Sequence, residues 1–274
     1  MAVVGLITDF GDSVYDGIVE SVIKSIDPSI DVIRVENSVP QFSVIAGSYI
    51  VYSSYRWLPK GSVITVVVDP GVGTRRRALV VRTNNYFFVA PDNGVIYEAA
   101  AEDGIREVYS IDYARVRKLA SQYVSQFSTT PLSYTFHGRD IFAPAAALLA
   151  KGVSAADFAY RVNAQSISVL RLRQGYRVGS NGIRTRVVYI DRFGNVALGL
   201  TPREYRLPPV GRRVMATSKS SQAYFTSAHT FGDVKPGEPI AYINSFGFIE
   251  LAVNQGSAAQ LLKVNVGDDV TLSY

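Results

Sequence analysis

An aspartate followed by three consecutive arginines is the part of this chain best suited to polar chemistry. The apolar run 62–68 ends at Asp69, and a Pro-Gly turn, a second glycine and Arg75, Arg76 and Arg77 follow it. Open α/β sheets bind ligands at the carboxyl ends of their strands, so this spacing predicts a polar site. Because alternate side chains of an extended segment point to opposite sides, at least one of these arginines must face elsewhere.

Two further residues are candidates for the same site. Asp9 directly follows the apolar segment Val3 to Ile7, where its carboxylate can accept hydrogen bonds from a ribose diol or, alternatively, cap the next helix. His137 lies beside Gly138, just ahead of an apolar helical segment. Its ring can orient water or a substrate hydroxyl, and the alternative is a local cap or a core histidine.

The second half of the chain carries two polar and aromatic groups near strand ends. In Tyr189 to Val196, a strand ends at Asp191 and a turn presents Phe193 and Asn195. An aromatic ring can stack on a base while an amide reads its edge, or Asp191 and Asn195 can simply bond the backbone of a β-turn. The segment 244–255 contains Glu250, which in a strand would ordinarily face outward.

Alternating strand-like and helix-like segments organise the first part of the chain. Apolar runs and a 3.6-residue period predict an N-terminal α/β sandwich domain with a mostly parallel sheet covered on both faces. The predicted strands are 3–7, 31–35, 62–68, 78–82 and 86–89, and the predicted helices are 15–26, 43–57, 94–101 and 140–150. The polar segment 121–135 is predicted as a surface loop.

Short strands separated by turn residues dominate the rest of the chain. This pattern predicts a smaller C-terminal all-β barrel domain. The predicted strands are 184–191, 195–200, 210–216, 239–244, 246–254 and 269–273. We predict an N-terminal domain over 1–166, a glycine-bearing linker over 167–183 and the barrel over 184–274.

Composition excludes several classes of protein. Hydrophobic residues make up 47% and charged residues 19%, which predicts a packed core. With no cysteine and only two histidines, disulfides and thiolate chemistry are excluded, and we expect no metal site. The net charge of +5 is scattered, so we expect no nucleic-acid partner. No apolar run approaches the ~20 residues that span a bilayer, and no signal peptide is recognisable, so we expect a soluble, cytoplasmic protein without a membrane partner.

The motifs, taken in order, resemble those of the S-adenosyl-L-methionine (SAM) hydroxide adenosyltransferases, the adenosine-forming SAM hydrolases related to fluorinases and chlorinases. The resemblance covers nearly the whole chain. Each motif alone is modest, whereas their ordered set is specific. The motifs are Ile7-Thr8-Asp9-Phe10-Gly11, Val68-Asp69-Pro70-Gly71-Val72-Gly73-Thr74, Ala90-Pro91-Asp92-Asn93-Gly94, Phe136-His137-Gly138-Arg139-Asp140, Ile190-Asp191-Arg192-Phe193-Gly194-Asn195 and Ile243-Asn244-Ser245.

This resemblance implies a fold and an assembly. It implies an N-terminal α/β domain, a C-terminal β-barrel and a homotrimer whose sites lie between neighbouring subunits. It further implies a catalytic set of Asp69, Arg76 and His137. Halide-using relatives lack this trio, so its presence favours water as the nucleophile.

The resemblance also implies how a substrate is held. Asp9 would bind the ribose diol, and Phe193 and Phe231 would flank the adenine. The remaining substrate-binding residues implied are Asn195 and the Val253 backbone at the adenine edge, and Asp191, Ser245 and Glu250 at the methionine end.

The function that follows is hydrolysis of SAM to adenosine and L-methionine by in-line attack of activated water at C5′. No cofactor is expected, since SAM itself is the small-molecule substrate. The alternatives are a SAM-dependent halogenase that forms 5′-chloro-5′-deoxyadenosine and a non-catalytic sensor of adenosine or SAM.

Overall fold

The computed structural model describes residues 2–179 and 181–274, which divide into two compact units between Leu170 and Arg171. This division falls inside the predicted linker 167–183, and part of that linker is a β-strand. Ser180, also within the predicted linker, lies outside the described residues. The domain boundaries predicted from the sequence therefore stay predictions.

A seven-stranded sheet forms the centre of the first unit. Its strands are β1 (Val3–Thr8), β2 (Asp31–Glu36), β3 (Val63–Val67), β4 (Ala78–Arg82), β5 (Phe87–Pro91), β6 (Glu107–Ile111) and β7 (Ala159–Val162). Across the sheet the order is β2-β1-β3-β5-β4-β6-β7. The neighbouring strands β2, β1, β3 and β5 are parallel to one another, and β6 runs in the same direction. The strands β4 and β7 are antiparallel to these five. The predicted mostly parallel sheet is confirmed.

Helices cover both faces of this sheet. They are α1 (Val14–Ile26), α2 (Val44–Ser54), α3 (Tyr97–Asp103), α4 (Tyr113–Ala120), α5 (Gln126–Thr129), α6 (Ala143–Ala150) and α7 (Ala155–Phe158). Successive side chains of β1 point to opposite faces. Val4 and Leu6 accordingly lie in one core with α1 and α6. Gly5 faces the other side, where a Cβ would meet the side chain of Leu58, which follows α2 in the chain.

The sheet order brings two candidate site residues together. β1 and β3 are adjacent parallel strands, with Thr8 opposite Val67. Asp9 follows β1 and Asp69 follows β3, so both carboxylates emerge at the same edge of the sheet. This is the edge at which α/β proteins bind ligands.

The first unit differs from the sequence prediction in several places. The prediction did not include β6, β7, α4 and α7. The surface loop predicted over 121–135 is wrong at α5, because Phe127 of that helix is buried against the core. A helix with one buried apolar residue among polar neighbours has no repeating hydrophobic pattern by which the sequence could predict it. The predicted helix 140–150 begins earlier, as a π-helical turn over Gly138–Phe142 that continues directly into α6.

The second unit is a closed barrel, as predicted, and seven strands form its ring. Its elements are β8 (Gly175–Val178), β9 (Gly182–Ile190), β10 (Val196–Leu198), β11 (Arg213–Thr217), β12 (Gln222–Ser227), β13 (Pro239–Ile243), β14 (Ile249–Val253), α8 (Ala258–Leu262) and β15 (Asp269–Ser273). Because β10 pairs with both β14 and β9, the sheet closes on itself and β8 lies outside the ring. The sequence prediction did not include β12, which contributes Phe225 to the core.

Candidate active site

The turn after β3 places a guanidinium on the Asp69 carboxylate. Thr74 donates its hydroxyl hydrogen to the carbonyl of Gly71 at 2.7 Å, which closes the turn and directs the chain back toward Asp69. Arg76 Nε then lies 3.0 Å from both Asp69 oxygens, and Nη2 donates to Oδ2 as well. The side chains of Arg76 and Asp69 are only 10% and 5% exposed, so this is a buried ion pair.

The same guanidinium determines the tautomer of His137. Arg76 Nη2 lies 2.7 Å from His137 Nδ1. An arginine side chain can only donate, so Nδ1 must accept, and the ring proton of the neutral imidazole is on Nε2. Burial and the neighbouring Arg76 charge lower the pKa of His137 below its ordinary value of 6.5, which favours this neutral form.

A buried carboxylate holds the segment that carries His137. Asp140 is fully buried, accepts from Arg139 Nε at 2.6 Å and accepts from the Ser133 amide at 2.7 Å. Arg117 Nη1 lies 3.2 Å from the same carboxylate, and Arg117 Nη2 donates to the carbonyls of the α5 region. These bonds join the π-helical turn to the segment before it and to α4, and π-helical turns are common at functional sites.

Asp9, Asp69 and His137 line one cavity of about 280 Å³. Its other walls are aromatic and apolar. Phe10, Tyr15 and Phe136 form a mutually packed group in which the Tyr15 and Phe136 ring centroids lie 5.0 Å apart. The cavity therefore combines two carboxylates with a largely apolar lining, which suits a cationic or polar ligand that also carries apolar surface.

Asp9 accepts a hydrogen bond from a distant backbone amide instead of capping a helix. The N-cap of α1 is Ser13, so the capping alternative for Asp9 is wrong. Asp9 Oδ2 accepts from the Phe42 amide at 3.0 Å. Burial, with a smaller effect from the Asp69 charge, raises the pKa of Asp9 above its ordinary value of 3.8.

Phe42 lines the cavity in a strained conformation. Its φ is +63°, a left-handed value that costs a residue with a side chain about 1–3 kcal/mol. The ring is 70% exposed, so core packing does not explain the strain. Strained residues of this kind concentrate at ligand sites.

The other two arginines of the run point elsewhere, as alternation predicts. Arg75 is exposed. Arg77 donates to Asp92 Oδ2 from Nε at 2.8 Å and from Nη2 at 2.6 Å. Of the three arginines, Arg76 is therefore the one that bonds the cavity-lining residues Asp69 and His137.

In the barrel, Asp191 and Asn195 adopt the turn alternative. Asp191 Oδ1 accepts from the amides of Phe193 and Asn195, both at 2.9 Å, and Oδ2 accepts from Asn195 Nδ2 at 2.8 Å. Gly194 has a φ of +83°, and a Cβ there would lie 2.1 Å from Ser257 Oγ. This tight turn leaves the Phe193 ring 78% exposed.

The remaining barrel candidates cluster near β13 and β14. Glu250 lies on the face of β14 opposite the barrel-core residues Ile249 and Leu251, as expected for an outward-facing strand residue. There it accepts from Tyr242 and from Asn244 Nδ2 at 2.7 Å. Burial, with a smaller effect from the Asp191 charge, raises the pKa of Glu250 above 4.5. Phe231 packs edge-on against Tyr242, with centroids 5.4 Å apart. Val253 is buried in β14, and Ser245 is exposed in the turn after β13.

Within residues 2–179 and 181–274, no cluster of three or more histidine, cysteine, aspartate or glutamate side chains is arranged to bind a metal ion. In the same ranges, no helix has both the length and the apolar composition needed to cross a membrane.

Comparison with known proteins agrees with this geometry. The family model described as the SAM hydroxide adenosyltransferase N-terminal domain matches residues 4–159, and that of the C-terminal domain matches residues 185–271. The chain belongs to the SAM hydroxide adenosyltransferase family. The Asp69, Arg76 and His137 array lies in the part that matches the N-terminal family model.

Relatives in this family align along almost their full length. The chain is 36% identical to the (R)-S-adenosyl-L-methionine hydrolase of Salinispora tropica, over 95% of this chain and 94% of that protein. It is 33% identical to the enzyme of the same name from Thermus thermophilus, over 99% and 100%. Proteins named fluorinase match at only 21–23% identity.

A solved structure also matches the whole chain. It is the crystal structure of an uncharacterized conserved protein from Thermotoga maritima, with a TM-score of 0.85 and 36% identity. The alignment covers 99% of this chain and 100% of that one.

Several residues that line this cavity were not predicted from the sequence as site residues. Phe10 and Phe136 neighbour Asp9 and His137 in the motifs, so their position was a usable signal. Phe42 and Tyr15 carry no such signal, because backbone strain and ring packing exist only in the folded chain.

Proposed function

We propose that this chain hydrolyses SAM to adenosine and L-methionine. The observation that carries the proposal is the hydrogen-bonded array of Asp69, Arg76 and His137 beside a cavity with a second carboxylate, Asp9, in a chain of this family. Water oxygen forms the new bond to C5′ as the C5′–S bond breaks. The electron pair of that bond goes to sulfur, which leaves as the neutral thioether of methionine. No general acid is required.

Asp69 is the group that takes the proton from water. His137 Nδ1 is occupied by Arg76 and Nε2 carries the ring proton, so the neutral imidazole has no free lone pair to serve as a base. Asp69 accepts hydrogen bonds from Arg76, yet carboxylate oxygens have about four acceptor positions in all. His137 instead donates from Nε2 and orients the water for in-line attack.

We further propose how the substrate is bound. Asp9 accepts from the ribose hydroxyls, and the carboxylates of the cavity attract the sulfonium charge. In the barrel, Phe193 and Phe231 contact the adenine ring, with Asn195 and the Val253 backbone at its polar edge. Residues proposed at the methionine end are Asp191, Ser245 and Glu250. The reaction needs no cofactor and no metal, because the substrate already carries its leaving group.

Water is preferred over a halide because of the charge at Asp69. A carboxylate beside the nucleophile position repels a halide ion and attracts the hydrogens of water. The greater distance in sequence of the relatives named fluorinase is consistent with this preference.

We propose that the protein is a cytoplasmic homotrimer in which one copy supplies the cavity and a neighbouring copy supplies the barrel residues. The exposed rings of Phe42 and Phe193 support a contact made between copies. Co-expression of the Asp69→Asn and Phe193→Ala variants tests this. In a mixed assembly, some sites would combine the intact cavity of one variant with the intact barrel of the other, and activity would return. Activity no higher than the sum of the two single variants contradicts the proposal. Light scattering gives the oligomeric state, and fractionation of the source cells gives the location.

The hydrolase itself is tested by incubating the purified protein with SAM and separating the products by chromatography. In ¹⁸O-labelled water we expect the label in the 5′-hydroxyl of adenosine. Tight SAM binding in a calorimeter without turnover would identify a sensor instead, and 5′-chloro-5′-deoxyadenosine at high chloride would identify a halogenase.

A further inference from the structure

Tyr113 contacts both ends of the arginine that organises the site. Its hydroxyl accepts from Arg76 Nη1 at 3.0 Å and donates to the Arg76 carbonyl at 3.4 Å. Tyr113 is the first residue of α4, and the preceding Asp112 caps that helix by accepting from the amides of Ala114 and Arg115. The phenol is therefore held by the backbone of a capped helix.

The hydrogens of the guanidinium are divided among three partners. Nε and Nη2 donate to Asp69, Nη2 also donates to His137, and Nη1 donates to Tyr113. Over residues 2–179 and 181–274, the Tyr113 hydroxyl is the one hydrogen-bond acceptor found for Nη1. The Phe142 ring lies 5.3 Å from the guanidinium carbon but fixes no direction within its plane. Tyr113 thus holds the guanidinium nitrogen that neither Asp69 nor His137 contacts.

Tyr113 also packs on the histidine. Its ring meets His137 edge to face, with centroids 5.3 Å apart and planes inclined by 69°. One side chain therefore contacts both groups whose mutual bond, from Arg76 Nη2 to His137 Nδ1, determines the tautomer. If the guanidinium rotated, Nη2 would move away from Nδ1 and the preference for a proton on Nε2 would weaken.

We propose that Tyr113 is a positioning residue: its hydroxyl orients the Arg76 guanidinium so that His137 is held with its proton on Nε2. For its kinetic consequences the inference rests on the proposed hydrolase function. Its structural consequence, the tautomer of His137, does not.

The kinetic test compares Tyr113→Phe with Tyr109→Phe. The first removes only the hydroxyl that contacts Arg76, whereas the second removes a hydroxyl that bonds Glu107 in the same unit. For Tyr113→Phe we expect kcat to fall about tenfold or more, with KM within about twofold, since the lost bond orients catalytic groups without touching substrate. Tyr109→Phe should match the wild type, and melting curves should show both variants folded.

The pH profile is a readout that a purely structural role would not change. The charged groups that act on His137 are Arg76, which lowers its pKa, and Asp69 and Asp140, which raise it. Without the Tyr113 hydroxyl, the Arg76 guanidinium is held less firmly beside His137 and lowers the pKa of His137 less. The acid limb of the kcat/KM profile should therefore move to higher pH in Tyr113→Phe. An unchanged profile would overturn the proposal, even if the rate fell.

Imidazole ¹⁵N spectra test the tautomer without any activity. The chain has only two histidines, so His137 and His229 are readily separated with a His229→Gln variant. In the wild type, the spectra should show His137 protonated at Nε2 and unprotonated at Nδ1. In Tyr113→Phe, they should show a mixture of the two tautomers. Identical spectra in the two proteins refute the role of Tyr113. A wild type inactive toward SAM refutes only the hydrolase, because these spectra would still decide the positioning role.

Discussion

Asp69→Asn separates the chemical role of the carboxylate from its structural role. The change keeps the shape but removes the counter-charge of a guanidinium that is only 10% exposed. Breaking a buried pair of this kind costs about 3–5 kcal/mol of unfolding free energy. Removing a positioned proton acceptor lowers kcat by about 10²–10⁴-fold. At about 1.36 kcal/mol per factor of ten, this is about 2.7–5.4 kcal/mol of transition-state stabilisation.

Asp92→Asn is the matched control. Asp92 is bound by Arg77 much as Asp69 is by Arg76, and its side chain is 8% exposed, but it does not line the cavity. Because Arg77 is 32% exposed, its charge remains partly hydrated and the stability loss should be smaller. We expect Asp92→Asn to retain kcat.

The assay is the initial rate of adenosine formation at saturating SAM, with urea unfolding measured on the same samples. A folded Asp69→Asn protein whose kcat stays within about threefold of the wild type would refute the assignment of Asp69 as proton acceptor. Equal losses of kcat in Asp69→Asn and Asp92→Asn would also contradict this assignment. The loss would then result from breaking a buried ion pair and not from removing a proton acceptor.

Further predictions concern the other residues of the cavity. His137→Gln should lower kcat by about 10²-fold, with a much smaller change in KM, in the same assay. Because a lowered pKa keeps His137 neutral below pH 6.5, the acid limb of the wild-type kcat/KM profile should lie below that value; a limb above it contradicts the neutral form. Asp9→Asn should raise KM by about tenfold or more while changing kcat little, as expected for a lost bond to a charged group. Phe42→Gly should raise the unfolding free energy by up to about 1 kcal/mol, since relief of left-handed strain outweighs the added chain entropy, yet it should raise KM.

Much of the fold could be predicted because its signals are local. The apolar runs of β1 and β3 and the helical period of α1 lie within short windows of sequence. Two of the elements that were not predicted lack such windows. In α5, Phe127 is one apolar residue among polar neighbours, and β12 alternates too weakly to be separated from its turns.

For the site, residue types and their order along the chain already indicated a carboxylate and a guanidinium after a strand and a histidine ahead of a helix. The sequence could not show that Asp9 bonds the Phe42 amide, because the two residues are 33 positions apart. Nor could it show Tyr113 against Arg76, which are separated by 37 positions. Such bonds depend on the packing of whole elements.

The amino-acid sequence by itself thus determined which chemical groups are present and to which family the chain belongs. It also determined many of the strands and helices that carry these groups. Only the tertiary structure decided the proton location on His137, the separate directions of Arg75, Arg76 and Arg77, and the turn that occupies Asp191. The physical reason is that a hydrogen bond forms over about 3 Å and depends on angle, so its partner is known only when the folded backbone has placed both groups.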